Sequence, residues 1–298
     1  MTGQGPSFDL LSDLQLLLQF HFMQNALVVG TLVAILAGAV GYFIVLRGQS
    51  FAAHMLSQVG FPGAAGAALV HVSPVIGLMV FCLGAALGVA GAGRRLAAGR
   101  RAESAAVGTV LAFSLGLGLL FFRLYAGSAQ AVYAFLFGSI LGITDRDVLV
   151  TLVTTLCVLL ALAAIGRPLL FSSVDPDVAD ARGVPVRWLS TGFLVALALA
   201  VAVTVQIVGT LLIFALLVAP GAAAQRLAAR PGVGLMLTIA ISLLSTWLGL
   251  AAAYFSGLPV GFFITTLAFG TYLAIRLGGT RAARLQRPAL QTPGAIGP

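Results

Sequence analysis

From Phe22 to Leu46 the chain passes without a single acid or base, and comparable apolar stretches recur along almost its whole length. Each is long enough, at roughly 18 residues or more, to cross the hydrocarbon of a bilayer as one helix. The stretches are continuous rather than alternating, which argues against the strands of a transmembrane barrel. In hydrocarbon every backbone N–H and C=O must find its partner within the protein, so helices are what remains. Composition agrees: 60% of the 298 residues are hydrophobic and only 8% are charged, where soluble domains carry about 25%. The fold class read from the sequence is an all-α integral membrane protein, a polytopic helix bundle.

Candidate spans are residues 21–46, 51–71, 74–93, 104–123, 148–170, 190–206, 208–225, 233–255 and 259–277, about nine, with eight to ten allowed by their lengths. Residues 128–143, SAQAVYAFLFGSILGI, are short for a span and read as a re-entrant segment. Residues 190–225 fit two short spans turning near Gln206 and Gly209. Ahead of the bundle, 1–20 form an amphipathic N-terminal segment at the interface. No basic residue precedes the first span, unlike a secretory signal peptide. A single transmembrane domain covers 21–279, and 280–298 read as a basic, then disordered, tail. Small residues at four-residue spacing, Gly30/Ala34/Gly38 and Gly84/Gly88, mark ridges along which helices can approach closely, within one chain or between copies.

All 16 basic residues are arginine. Without lysine the chain has no Walker A loop of its own and no Schiff-base chemistry, so a nucleotide motor must be a separate subunit. The arginines lie at span ends, where they set topology, so the net charge of +8 is no nucleic-acid footprint. With the N-terminus outside, only Arg123 and Arg146 of the 16 fall outside. The positive-inside rule therefore places the C-terminus and the loop at 171–189 in the cytoplasm of a multi-pass protein of the plasma (inner) membrane. Cys82 and Cys157 sit in apolar runs with no partner at metal-ligand spacing, and read as packing residues.

Residues 171–189, FSSVDPDVADARGVPVRWL, are the one sustained polar interruption in mid-chain, and they spell a complete small helix. Asp175 is an N-cap and Pro176 suits the first helical position. Asp177 favours the positive N-terminal end, Arg182 the negative C-terminal end, and Gly183 with Pro185 stops the helix. Helices shorter than roughly 12 residues are marginal in water, so one at Pro176–Arg182 centred on Ala179 must rest on something. Either a partner protein or the chain's own surface would serve.

No Asp or Glu lies centrally in a candidate span, which argues against a proton-relay pump or an ion-coupled carrier. His54 and Gln58 are four apart and share one helical face. They could line a path for a cation, His54 offering a transient metal contact, or form an interhelical hydrogen bond. Gln206 reads as a mid-membrane amide at a turn or in a pore wall. His21 and His71 sit at span ends, as interfacial residues do. Ser139 in FGSILG lacks the G-x-S-x-G context and any His or Asp partner, so no catalytic residue is assigned.

Taken together and in order, five stretches resemble one family: FMQNALVVGTLVAILAGAVGYFIVLRG at 22–48, FLFGSILGIT at 135–144, DPDVADARGVPV at 175–186, VGTLLIFALLVAPGAAA at 208–224 and SGLPVGFFI at 256–264. The chain is similar to the membrane permease subunits of zinc, manganese and iron ABC importers, the ABC-3 type family. The resemblance implies a type II ABC importer-like fold and a homodimer of permeases in membrane lipid. It also implies two cytoplasmic ABC ATPase subunits that bind ATP and Mg, and an extracytoplasmic metal-binding protein. The chain itself would bind no cofactor and would pass a divalent metal ion. The helix formed by Asp175, Pro176, Asp177, Ala179, Arg182 and Gly183 would be the coupling helix, seated on the ATPase. Where the family reads an Asp and a His in a G-D-A-L-S-H-A-type stretch, this chain has His54 and Gln58, so the expected carboxylate is missing. A metal-chelate permease, a secondary carrier or channel for a small solute, and an intramembrane enzyme are the other readings.

Overall fold

The computed structural model describes residues 21–95, 99–124, 138 and 142–285. Among them nine long helices and one short one follow in order: α1 (His21–Leu46), α2 (Ser50–Leu69), α3 (Pro74–Arg95), α4 (Gly99–Leu124), α5 (Asp145–Val174), α6 (Pro176–Ala181), α7 (Val186–Val208), α8 (Thr210–Leu227), α9 (Pro231–Ser256) and α10 (Val260–Leu285). The N-terminal segment 1–20, most of the segment expected to re-enter, and residues 286–298 lie outside the described residues. α10 runs on to Leu285, past the expected boundary at 279.

Seven of the long helices are, over their described residues, apolar and long enough to cross a membrane, where nine spans are expected. The other two are α2, which carries His54, Ser57 and Gln58 among its apolar residues, and α8, which is apolar from Ile213 to Leu227. Polar or broken helices are tolerated in a bilayer where other helices or a cavity surround them. α2 packs against α1, α3, α4, α7 and α8, and α8 against α1, α2, α7, α9 and α10.

Without water to exclude, helices in a membrane gain mainly from close van der Waals packing. The core runs along α1 (Val29, Val33, Leu36, Val40), α2 (Leu56, Val59) and α7 (Phe193, Leu197, Val201). α5 turns Leu149, Leu152, Val153, Leu156 and Leu160 outward, as a lipid-facing helix does. Cys82 is buried, but Cys157 is exposed on this α5 face and is no core packing residue. The two small-residue ridges differ although their spacing is the same. Gly30 and Gly38 press on α9, where a Cβ at Gly38 would lie 2.8 Å from Ile239 Cα, while among the described residues nothing comes within 4 Å of a Cβ at Gly84 or Gly88. α1 meets α8 more closely still: a Cβ at Gly41 would lie 2.1 Å from the Leu217 carbonyl oxygen.

α7 ends and α8 begins at Gly209, whose φ of 92° favours glycine. The break is buried. The backbone at Gly138 covers it, so closely that a Cβ there would come within 2.3 Å of the Ile207 carbonyl oxygen.

Candidate coupling helix and transport path

α5 ends and α6 begins at the same residue. Asp175 has extended backbone, φ −143° and ψ 95°, and its carboxylate accepts the Val178 N–H at 3.0 Å. Pro176 occupies the first turn, where its missing N–H costs nothing. The helix stops at Gly183, φ 80°, with the Gly183 N–H on Asp180 O at 2.9 Å and the Val184 N–H on Ala179 O at 3.0 Å. Ala179 is fully buried against the bundle, whereas Asp177, Asp180, Arg182 and Arg187 are exposed. Around these charges Val174, Val178 and Trp188 also stand in the open, at 76%, 44% and 71% exposure. Apolar side chains presented on a polar loop suit contact with a protein surface.

The same end of the bundle holds a cavity of about 440 Å³ between the last turns of α1 and α5 and the first of α7. Arg47, just past α1, reaches into it. Its Nη1 donates to Ser173 Oγ at 3.1 Å and Ser172 Oγ at 3.4 Å, and its Nη2 donates to Ser190 Oγ. Its guanidinium carbon stands 5.7 Å from the centroid of Phe193. The sequence marked Arg47 only as one of the topology-setting arginines. Its partners lie 125 to 143 residues away, beyond any local signal.

His54 lies four residues into α2, in the half of the bundle that carries α6. Its Nδ1 is buried without a hydrogen-bond partner among the described residues, and its ring meets Phe214 of α8 edge-on at 5.1 Å. Gln58, one turn on, is half-buried. Gln206 is elsewhere. Its Nε2 donates to Asp147 Oδ1 at 3.1 Å in the first turn of α5. Asp147 is 27 residues before Val174, so that clasp lies roughly 40 Å along α5 from the α6 end. The N-terminus of α5 is held further by its Thr144–Asp147 capping box and by Asn25 Nδ2 donating to Asp145 Oδ1 at 2.9 Å. His54 and Gln58 thus share one place, and Gln206 is part of another. Among the described residues no three His, Cys, Asp or Glu side chains come together as a metal site.

Residues 19–278 match the model of the ABC 3 transport family. The chain belongs to that family. Among its ABC 3 relatives is the manganese import system permease protein ScaB of Streptococcus parasanguinis, 34% identical over 244 residues that make up 82% of this chain and 85% of that protein. Another is the manganese transport system membrane protein MntC of Listeria innocua, 31% identical over 245 residues, 82% of this chain and 86% of the relative. Among solved structures, PsaBC from Streptococcus pneumoniae in complex with Fab is similar at 31% identity and a TM-score of 0.79, covering 89% of this chain and 95% of that one. An ABC 3 chain is a transport subunit rather than an enzyme, and its helices span a membrane.

Proposed function

We propose that the chain is the permease of an ATP-driven importer for a divalent transition-metal ion, manganese foremost, working as a homodimer with cytoplasmic ABC ATPases and an extracytoplasmic metal-binding protein. The observation that carries this reading is the match to the ScaB and MntC manganese permeases over four-fifths of the chain. In this reading α6 is the coupling helix, and the Asp145–Asp147 end of α5 faces outward. Orientation rests on the arginine distribution. With Cys82 and Cys157 replaced, a cysteine at Asp180 should react with impermeant maleimide only from the cytoplasmic side. Labelling from outside would invert the topology.

The ion would meet oxygen first. Manganese favours carboxylate, carbonyl and water ligands, and Asp145 and Asp147 offer them beside Gln206 at the outer end. Farther in, the His54 imidazole and the Gln58 amide would give weaker, passing contact. A conduit has to release its cargo, so a closed cage of ligands would be a trap. His54→Gln keeps a polar group of similar reach but removes the imidazole. Manganese uptake at matched membrane expression should fall by about tenfold, the effect of one lost ligand of modest strength, about 1.4 kcal/mol. Unchanged uptake would take His54 out of the path and leave it as a packing residue.

A further inference from the structure

We infer that Arg47 is the strut that carries movement of the coupling helix into the α1–α2 turn. The inference rests on the proposal that α6 docks on an ATPase, and adds the residue through which docking reaches the transport helices. α6 hangs between two legs, the last turn of α5 and the first turn of α7. Ser172 and Ser173 are on one leg and Ser190 is on the other, and the single guanidinium of Arg47 donates to all three. Phe193, one turn along α7, lies against the same group. A planar fork with donors fixed in one geometry can hold two legs at a set distance; a lysine ammonium on a flexible stem cannot.

The other end of the strut is the backbone. Arg47 follows α1 directly, and only Arg47, Gly48 and Gln49 separate α1 from α2. Gly48 turns the chain with φ 67°. His54 follows on α2, four residues and roughly 6 Å along the helix from its start at Ser50. A displacement of α6 must therefore either carry the α1–α2 turn with it or give up charge-assisted hydrogen bonds on both legs. The adjoining cavity, lined by Arg47, Ser104, Ser172, Ser173, Pro176 and Ser190, leaves room for the legs to move. Arg47 is a positioning residue in this account, since nothing places it against the ion.

The experiment uses the whole transporter, permease with its ATPase subunits, reconstituted in liposomes, and reads manganese ions moved per ATP hydrolysed. Two variants are compared with wild type: Arg47→Lys, and the triple variant Ser172→Ala/Ser173→Ala/Ser190→Ala, which leaves the charge in place. In both, the ATPase subunits should still co-purify, and the ratio should fall by about tenfold, as loss of a charge-assisted hydrogen bond would give. A residue that only stabilised the fold would lower yield and leave the ratio alone. If Arg47→Lys does not assemble, the triple variant decides. A wild-type ratio in the triple variant overturns the strut. Ala179→Pro is measured alongside: if it keeps both its ATPase subunits and normal coupling, the docking proposal fails, whereas its uncoupling beside a normal serine variant removes the strut alone.

Discussion

Replacing Ala179 by proline should abolish transport-coupled ATP hydrolysis while leaving the protein in the membrane. Ala179 is fully buried at the centre of α6, and its N–H donates to Asp175 O at 3.1 Å. Proline has no N–H to give, and its ring collides with the turn before it, at a cost of about 3 kcal/mol or more in a helix interior. α6 has only six residues, so there is no intact remainder to absorb the break. The bundle itself should survive, because α6 packs mainly against its neighbours in the chain, α5 and α7, among the described residues. The check is ATP hydrolysis stimulated by the loaded metal-binding protein, with membrane expression measured in parallel. Normal stimulation in the variant would mean that α6 is a connector and not a docking element.

Gly41→Ala should be among the most damaging single-methyl changes in the described part of the chain. The new Cβ would lie 2.1 Å from the Leu217 carbonyl oxygen, and 3.1 Å from its carbonyl carbon. Both are backbone atoms, so no rotamer change can relieve the contact and α1 and α8 must part. Overpacking typically costs about 1–3 kcal/mol, and a backbone clash belongs at or above the top of that range. Gly84→Ala is the matched control, with no atom of the described residues within 4 Å of the added methyl. Thermal unfolding in detergent should show a clear loss for Gly41→Ala and none for Gly84→Ala. Equal behaviour of the two would mean that α1 and α8 do not cross as closely as the structure has them.

The ease with which each feature could be read tracks the distance over which its chemistry acts. α6 was legible because everything that makes it is local: the Asp175 cap bonds three residues along, and the stop at Gly183 involves its immediate neighbours. The long helices were legible as apolar runs, and the corner at Gly209 as a glycine beside a polar residue. What the chain hid was partnership across the bundle. Gln206 looked like an isolated amide in the bilayer because its acceptor, Asp147, is 59 residues away. Arg47 looked like a topology signal because its serines lie on helices far along the chain. The two glycine ridges share one spacing, yet Gly38 touches α9 and Gly84 touches nothing among the described residues. Spacing shows which residues share a face; it does not show what the face meets. Polarity within a helix hides in the same way: α2 carries His54 and Gln58 among its apolar residues, and α1, α3, α4, α7 and α8 pack around it.

Manganese uptake by the complete transporter in sealed liposomes, with metal-binding protein outside and ATP or a non-hydrolysable analogue inside, decides whether the chain is an ATP-driven manganese permease. An ATP-driven permease accumulates manganese against its gradient, and only with ATP hydrolysis and the binding protein together. Uptake that proceeds equally with the analogue, or that dissipates a gradient without ever building one, would make the chain a channel or carrier instead.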